Sequence, residues 1–411
     1  MKKYILLLII GLVIIPFVFA QNSFRMPDRS FEIGLFNTSI HFANDFMPIF
    51  DIFQESIVLD LDDLARGFRL NFGFSLLPIY VNINAKTWGF GLSTGLESLG
   101  SVELSGRMLS LNLNSTSATS QANMALFATA GINSYFYIQD FKVNISPSVF
   151  LTLAYARSKL VYTLDRSDDF IEMYIRLNAD VYTAYRNSVF KDSMLSNSDF
   201  SGVLSPNASP GVDFSFGIEY PLSQVIGLNE RARYLDFDVG INFVNIPVLP
   251  SVLTSYTSVW AEFDVKLPLN DFDFDDFSDI IAHDNVDDDE SDNGYIEVER
   301  PFKLILWANW RPFGNQLLTL RPVLGFAVSR HFYSNPFSLE AGINARLDLF
   351  NTLIVNAGIN YQDRMWVNNV RLAVNLWLLE LHVGVDVRSQ DLFKSFSTAG
   401  LGVNFGIKLG F

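Results

Sequence analysis

The sequence predicts an all-β membrane protein: a closed antiparallel transmembrane β-barrel of about 14 strands, within 14–16, with a short N-terminal helical insert. Three observations carry this expectation. Apolar and polar residues alternate with a period of two in segment after segment. The N-terminus reads as an export signal, and no later apolar run approaches the ~18–20 residues of a helical span. The chain closes on an amphipathic segment whose last residue is the aromatic Phe411.

The N-terminus comes first. Lys2 and Lys3 precede an apolar run over residues 4–19, and Val18-Phe19-Ala20 offers a small residue at the cut. That order of features is a secretory signal peptide over residues 1–20. The composition fits no ordinary soluble domain. It is 49% apolar and 14% aromatic, with 38 Phe, and only 18% charged. Alternating strands let such a chain turn one face to lipid and the other to water. Cys is absent, which excludes disulfides, thiol nucleophiles and Cys-zinc sites. The net charge of −15 argues against nucleic acid as a partner. Residues 271–292 hold most of that charge, with ten Asp, one Glu and no Lys or Arg, so 268–296 reads as a solvated acidic loop.

Residues 21–67 are set apart as an N-terminal segment, with the barrel proper over 68–411. Within 43–66, Phe46, Ile49, Phe50 and Phe53 fall at i, i+3, i+4 and i+7, which is one face of a helix. They are the candidate plug or gate of a barrel. The alternatives are a helix at the membrane interface, or a strand. Residues 31–39 also alternate as a strand does.

From residue 68 the alternation repeats at ~9–13 residues per segment, the reach of a barrel strand. Leu339, Ile343 and Leu347 alternate with Glu340, Arg346 and Asp348. Leu379, Leu381, Val383, Val385 and Val387 alternate with Glu380, His382, Gly384, Asp386 and Arg388. The charged set, Glu340, Arg346, Asp348, Glu380, His382, Asp386 and Arg388, is therefore expected to face the lumen. Phe150, Trp260, Ile305 and Trp307 also fall on polar faces at some registers, which predicts a partly apolar interior. At Leu378-Leu379 the parity flips, which means either a tight turn or a β-bulge. Residues 187–210 are rich in Ser, Asn and Pro and read as a loop.

No motif calls for an enzyme. Gly91-Leu92-Ser93-Thr94-Gly95 matches the nucleophile elbow, but no long helix follows it. Gly89, Gly91 and Gly95 are one residue too widely spaced for a dinucleotide loop. The four His are scattered, and the acidic loop lacks the Gly and Glu spacing of a calcium hand. No metal ligand set, cofactor or catalytic residue is assigned.

At the C-terminus, Leu401, Val403, Phe405, Ile407, Leu409 and Phe411 alternate without a break. This resembles the sorting signal read by the outer-membrane assembly machinery, with Phe411 as its closing residue. Size, the Phe46/Ile49/Phe50/Phe53 insert and the apolar interior candidates together resemble the outer-membrane long-chain fatty-acid transporter family. That resemblance implies a 14-stranded barrel with an N-terminal hatch that passes hydrophobic molecules. The expected function is passive uptake of small hydrophobic or amphipathic solutes, with membrane lipid, the assembly machinery and small solutes as partners. A general porin or structural barrel is the alternative, and a barrel lipid hydrolase a third.

Overall fold

In the computed structural model, the described residues are 29–44, 68–104, 115–166, 170–184, 208–222, 236–268, 285–291, 294–332, 336–390, 392–393, 395 and 400–411. The strands are β1 (Phe31–Asn44), β2 (Phe68–Asn84), β3 (Trp88–Leu104), β4 (Ser115–Ile138), β5 (Phe141–Arg166), β6 (Phe170–Thr183), β7 (Gly211–Tyr220), β8 (Asp236–Leu249), β9 (Ser251–Leu253) and β10 (Ser255–Pro268). They continue with β11 (Asn285–Ser291), β12 (Ile296–Val298), β13 (Phe302–Arg311), β14 (Leu318–Val328), β15 (Phe337–Leu349), β16 (Leu353–Gln362), β17 (Met365–Leu376), β18 (Leu379–Ser389) and β19 (Gly400–Gly410). No helix among the described residues is long and apolar enough to cross a membrane.

Antiparallel ladders close a ring. β1 to β5 pair in sequence. The ring then runs through β7, β8 and β13, and through β14 to β19 in order. β19 returns to β1, with Glu32 opposite Gly410 and Phe42 opposite Leu401. Counted along this circuit, the wall has 14 strands. Closure leaves no sheet edge in lipid, the condition for a β structure to sit there.

The outer surface is the apolar half of each alternation. Ile343 and Val370 are half exposed, as are Val383, Val385, Val403 and Phe405. Their neighbours Glu340, Arg346, Asp348, Glu380, Asp386 and Arg388 are buried on the inner face. The parity flip at Leu378-Leu379 is a tight turn: Trp377 takes φ 66° and Leu379 pairs with Leu376.

Two points differ from the sequence reading. The barrel wall starts before residue 68, because β1 bridges β19 and β2 and supplies the closing ladder. Residues 31–39 alternate as a strand does, and a bulge between Leu35 and Thr38, with Phe36 at φ 50°, then shifts the alternation of the remainder. The acidic stretch is not loop throughout, since β11 pairs with β10 and β12 with β9. There the free edge of β10 offers ladder partners to a segment of low intrinsic strand preference. Of the segment 43–66 expected to hold a helix, Ala43 and Asn44 end β1, and the rest, with Phe46, Ile49, Phe50 and Phe53, lies outside the described residues, as do the signal peptide, most of the 187–210 loop and residues 269–284.

One sector of the wall is broken. β5 has 26 residues, and its two halves take different partners. Lys142–Phe150 pairs with β7, and Ala154–Arg166 pairs with β6. β8, β9 and β10 follow one another with breaks at Pro250 and Thr254, and β12 gives way to β13 across residues 299–301. Pro210, Pro247, Pro250 and Pro301 gather at this level. Proline cannot donate to a ladder, so an uninterrupted wall is not available to these residues. Beyond the break, β5, β6, β10 and β11 continue as a sheet that leaves the closed ring.

Candidate functional site

At the level of the wall break, inward side chains meet across the lumen. Phe127 of β4, Phe150 and Tyr155 of β5, Tyr182 of β6, Leu253 of β9, Val298 of β12 and Phe332 form one buried cluster with Ala125 and Ala184. Phe127 lies edge-on to Phe150 at 5.9 Å and to Phe332 at 6.4 Å. We call this layer the septum.

Segments folded off the wall build it. β9 is held by Thr152 N–H donating to Ser251 Oγ at 2.9 Å, and by paired backbone bonds between Val252 and Ser209. Phe332 follows β14. Its carbonyl accepts from Ser101 Oγ at 2.5 Å and from Asn123 Nδ2 at 3.3 Å. Ser101 belongs to β3, far across the ring from β14, so this segment spans the lumen. The turn between β16 and β17 also points inward. Asp363 and Arg364 both take positive φ, a backbone cost that persists where surrounding bonds over-determine it. Asn71 Nδ2 donates to Asp363 O at 3.0 Å, and Arg364 Nη1 lies 3.3 Å from Glu103.

Arg300 anchors the septum from below. Its Nε donates to Asp213 at 2.6 Å, its Nη2 to Asp213 at 2.8 Å and to Ser148 Oγ at 2.6 Å, and its Nη1 sits 3.2 Å from Glu97. Its guanidinium also lies over the Phe150 ring, 5.3 Å from the centroid. The facing carboxylates outweigh burial and hold Arg300 above its ordinary pKa. Arg300 joins the end of β12 to the start of β13, and its partners sit on β3, β5 and β7. One buried cation therefore ties an inward-folded ribbon to three wall strands.

Below the septum lies a polar cavity of about 710 Å³. Eight Arg or Lys line it against five Asp or Glu, so the cavity is positive inside an acidic protein. Arg321 stacks on Trp307 at 4.5 Å and donates to Asn309 at 2.8 Å. Trp307 fits because Gly240 stands opposite it in the ladder, where a Cβ would lie 2.4 Å from the indole. Above the septum, β4, β5, β6 and β10 wall a second, open cavity of about 590 Å³.

The residues expected inside are placed as follows. Arg346, Glu380 and His382 line the lower cavity. Arg346 pairs with Asp348 at 2.9 Å, Glu380 with Lys408 at 3.5 Å, and Asp386 with Arg388. Glu340 is not in either cavity; it meets Lys303 at 2.5 Å. Phe411 exchanges both backbone hydrogen bonds with Phe31 at 3.1 Å, and their rings lie 5.8 Å apart. Phe150 is in the septum, and Trp260 and Trp307 line the two cavities. Ser93 lies within β3 as ordinary extended strand, not on a strained turn. Arg300, Asp213, Phe127, Leu253, Val298 and Phe332 were not singled out by sequence. The four prolines at the break are the signal that points to their level.

No protein-family model and no curated protein sequence matches the chain. Among solved structures it is similar to the P. putida toluene transporter TodX, at 10% identity and TM-score 0.48 over 94% of this chain and 91% of that chain. It is similar to the translocator domain of the autotransporter NalP from Neisseria meningitidis, at 8% identity and TM-score 0.34 over 94% and 90%. The outer-membrane protein opdK from Pseudomonas aeruginosa matches at 11% identity and TM-score 0.24 over 93% and 98%. The likeness is one of architecture only. The described residues form a closed 14-stranded barrel.

Proposed function

We propose that the protein is an outer-membrane channel for passive uptake of small hydrophobic or amphipathic solutes, closed at rest by the septum. Outer-membrane barrels carry short periplasmic turns and longer outer loops. The connections 85–87, 139–140, 350–352 and 377–378 are tight and share the end where Phe31 meets Phe411. On that rule the septum lies toward the outer side, and the cavity of about 710 Å³ opens toward the periplasm.

The observation that carries this reading is the septum's chemistry. A general porin needs a continuous wet lumen, and a layer of Phe, Leu, Val and Tyr excludes water and ions. An apolar or amphipathic molecule exchanges its own hydrophobic surface for that layer at little cost. TodX, by name a toluene transporter, offers a precedent for hydrophobic cargo in this architecture. The expected plug residues Phe46, Ile49, Phe50 and Phe53 remain candidates for a second obstruction. Hydrolysis has no support in an extended Ser93.

Planar-bilayer recording tests the proposal. The intact protein is expected to conduct ions poorly. Phe332→Ala and Leu253→Ala each remove septum volume, and each is expected to raise conductance while heat-modifiable gel migration is kept. Liposome swelling with an aromatic alcohol should proceed in the intact protein. A large steady conductance of the intact protein would sink the reading in favour of a porin.

A further inference from the structure

We propose that the rim of tight turns is a lipid-docking surface, and that it is seated unevenly. The tips from β13 round to β1 are sunk in the lipid headgroup layer, while those between β2 and β5 stand in water. This seating requires only that the barrel lie in a bilayer, and is independent of what passes through it. Ring order sets the tips side by side. Phe313 lies in the β13–β14 turn, Phe350 in the β15–β16 turn, Trp377 and Leu378 in the β17–β18 turn, and Phe411 closes β19 against β1. All five are more than half exposed. Across the ring, the β2–β3 turn is Ala85-Lys86-Thr87 and the β4–β5 turn is Gln139-Asp140. Among the described turns of this rim, the apolar tips therefore occupy one arc.

Two of these tips are unfavourable on the chain's own terms. Phe350 takes φ 60° and Trp377 φ 66°. Tight turns ordinarily place Gly, Asn or Asp at such positions, because a Cβ crowds the left-handed backbone. Phe350 is also 94% exposed and Trp377 90%, and neither side chain has a ring contact or polar partner among the described residues. Water gives neither ring any compensation. The headgroup layer does: it desolvates the apolar body and still offers acceptors to the indole N–H. The lipid-facing wall also runs into these tips without a break. Leu347, Leu376 and Leu409 are all partly exposed on that wall, each within three residues of Phe350, Trp377 or Phe411. Phe36, the remaining described aromatic at positive φ, is likewise more than half exposed and lies on β1 beside β19. On the far arc the apolar face stops at Ile83, Trp88 and Ile138, with Lys86, Gln139 and Asp140 at the tips. A bilayer of even thickness then meets the two arcs at different heights, and the barrel axis leans toward the β13–β1 side.

The test uses purified full-length protein in phosphatidylcholine vesicles and site-directed spin labelling, which the absence of Cys makes clean. Thr87→Cys and Thr352→Cys place a nitroxide at matched exposed threonines of the β2–β3 and β15–β16 turns and leave every ring in place. Val370→Cys marks the middle of the wall. Collision with a water-soluble nickel chelate is expected to be about threefold or more lower for the Thr352 label than for the Thr87 label, and lowest for the Val370 label. Phe350→Asn with Trp377→Asn suits the turn backbone, so heat-modifiable migration should be kept. Added to Thr352→Cys, this pair is expected to raise nickel collision toward the Thr87 value. Equal collision for the Thr87 and Thr352 labels, or a Thr352 label unmoved by the pair, would overturn the proposal. Shielding that fades as the protein is diluted in lipid would overturn it as well, and give the arc to a second copy of the chain. A Val370 label open to nickel would instead sink the membrane reading on which the seating rests.

Discussion

Arg300 is where a single side chain carries the most structure. Breaking a buried ion pair from one side costs about 3–5 kcal/mol, because the partner is left charged and dry. Arg300→Ala strands Asp213 and Glu97 together, so it is expected to lower the urea midpoint of the folded barrel and raise basal conductance. Arg300→Lys keeps the charge but not the fork that reaches Asp213, Ser148 and Glu97 at once, and falls between. Adding Asp213→Asn to Arg300→Ala should recover part of the loss, and strict additivity would show that the two act separately. His331 offers a second handle. Burial holds its imidazole below the ordinary 6.5, with Arg330 and Arg157 acting the same way and Glu299 opposing. A lowered histidine pKa means the native arrangement favours the neutral ring. The penalty is absent above the unfolded value and grows as pH falls below it. Tyr155 donates to the His331 carbonyl at 3.0 Å, next to Phe332, so the penalty falls on the septum. Conductance is expected to rise between pH 7 and pH 5, and His331→Gln to flatten that rise. A pH response that survives the substitution would assign it elsewhere.

At the scale of elements, the strands of the second half were legible in the sequence because each keeps one parity from end to end. β15, β16, β18 and β19 are of this kind, and their apolar faces are the exposed ones. β1 and β2 were harder to read because a bulge in each moves the apolar set to the other parity partway along. The septum was least legible. Its residues come from six separate places, and their shared position depends on ring closure, which periodicity within one strand does not encode. Phe150 and Trp307 were legible as apolar residues on polar faces, but not what they meet. The charged residues of β15 and β18 were legible as a face, yet the pairs of Glu340 with Lys303 and of Glu380 with Lys408 depend on neighbours in other strands. The lipid face itself makes a strict prediction. Val370 lies mid-strand, 57% exposed, between Ala357 and Val385. Val370→Arg is expected to cost about 2–4 kcal/mol in reversible folding into vesicles. A cost near zero would mean that this face does not meet hydrocarbon.

For the whole molecule, the distribution of charge matters more than its total. The net −15 is weighted toward one stretch of sequence, residues 271–292, whereas the lower lumen is lined by more cations than anions. Arg321, Arg371 and Lys408 there are set among Trp307, Asn404 and Glu380. Walls of low dielectric focus such a field into the water between them. On the proposed channel reading the septum blocks ion flow through the intact protein, so this selectivity is hidden at rest. It emerges when the septum is breached. In Phe332→Ala under a tenfold potassium chloride gradient, the reversal potential is expected to favour chloride. Arg321→Gln with Arg371→Gln in that background should bring the preference toward zero, and higher salt should shrink it by screening. A breached channel that instead prefers potassium would mean that the acidic stretch, not the lumen wall, sets the field along the path.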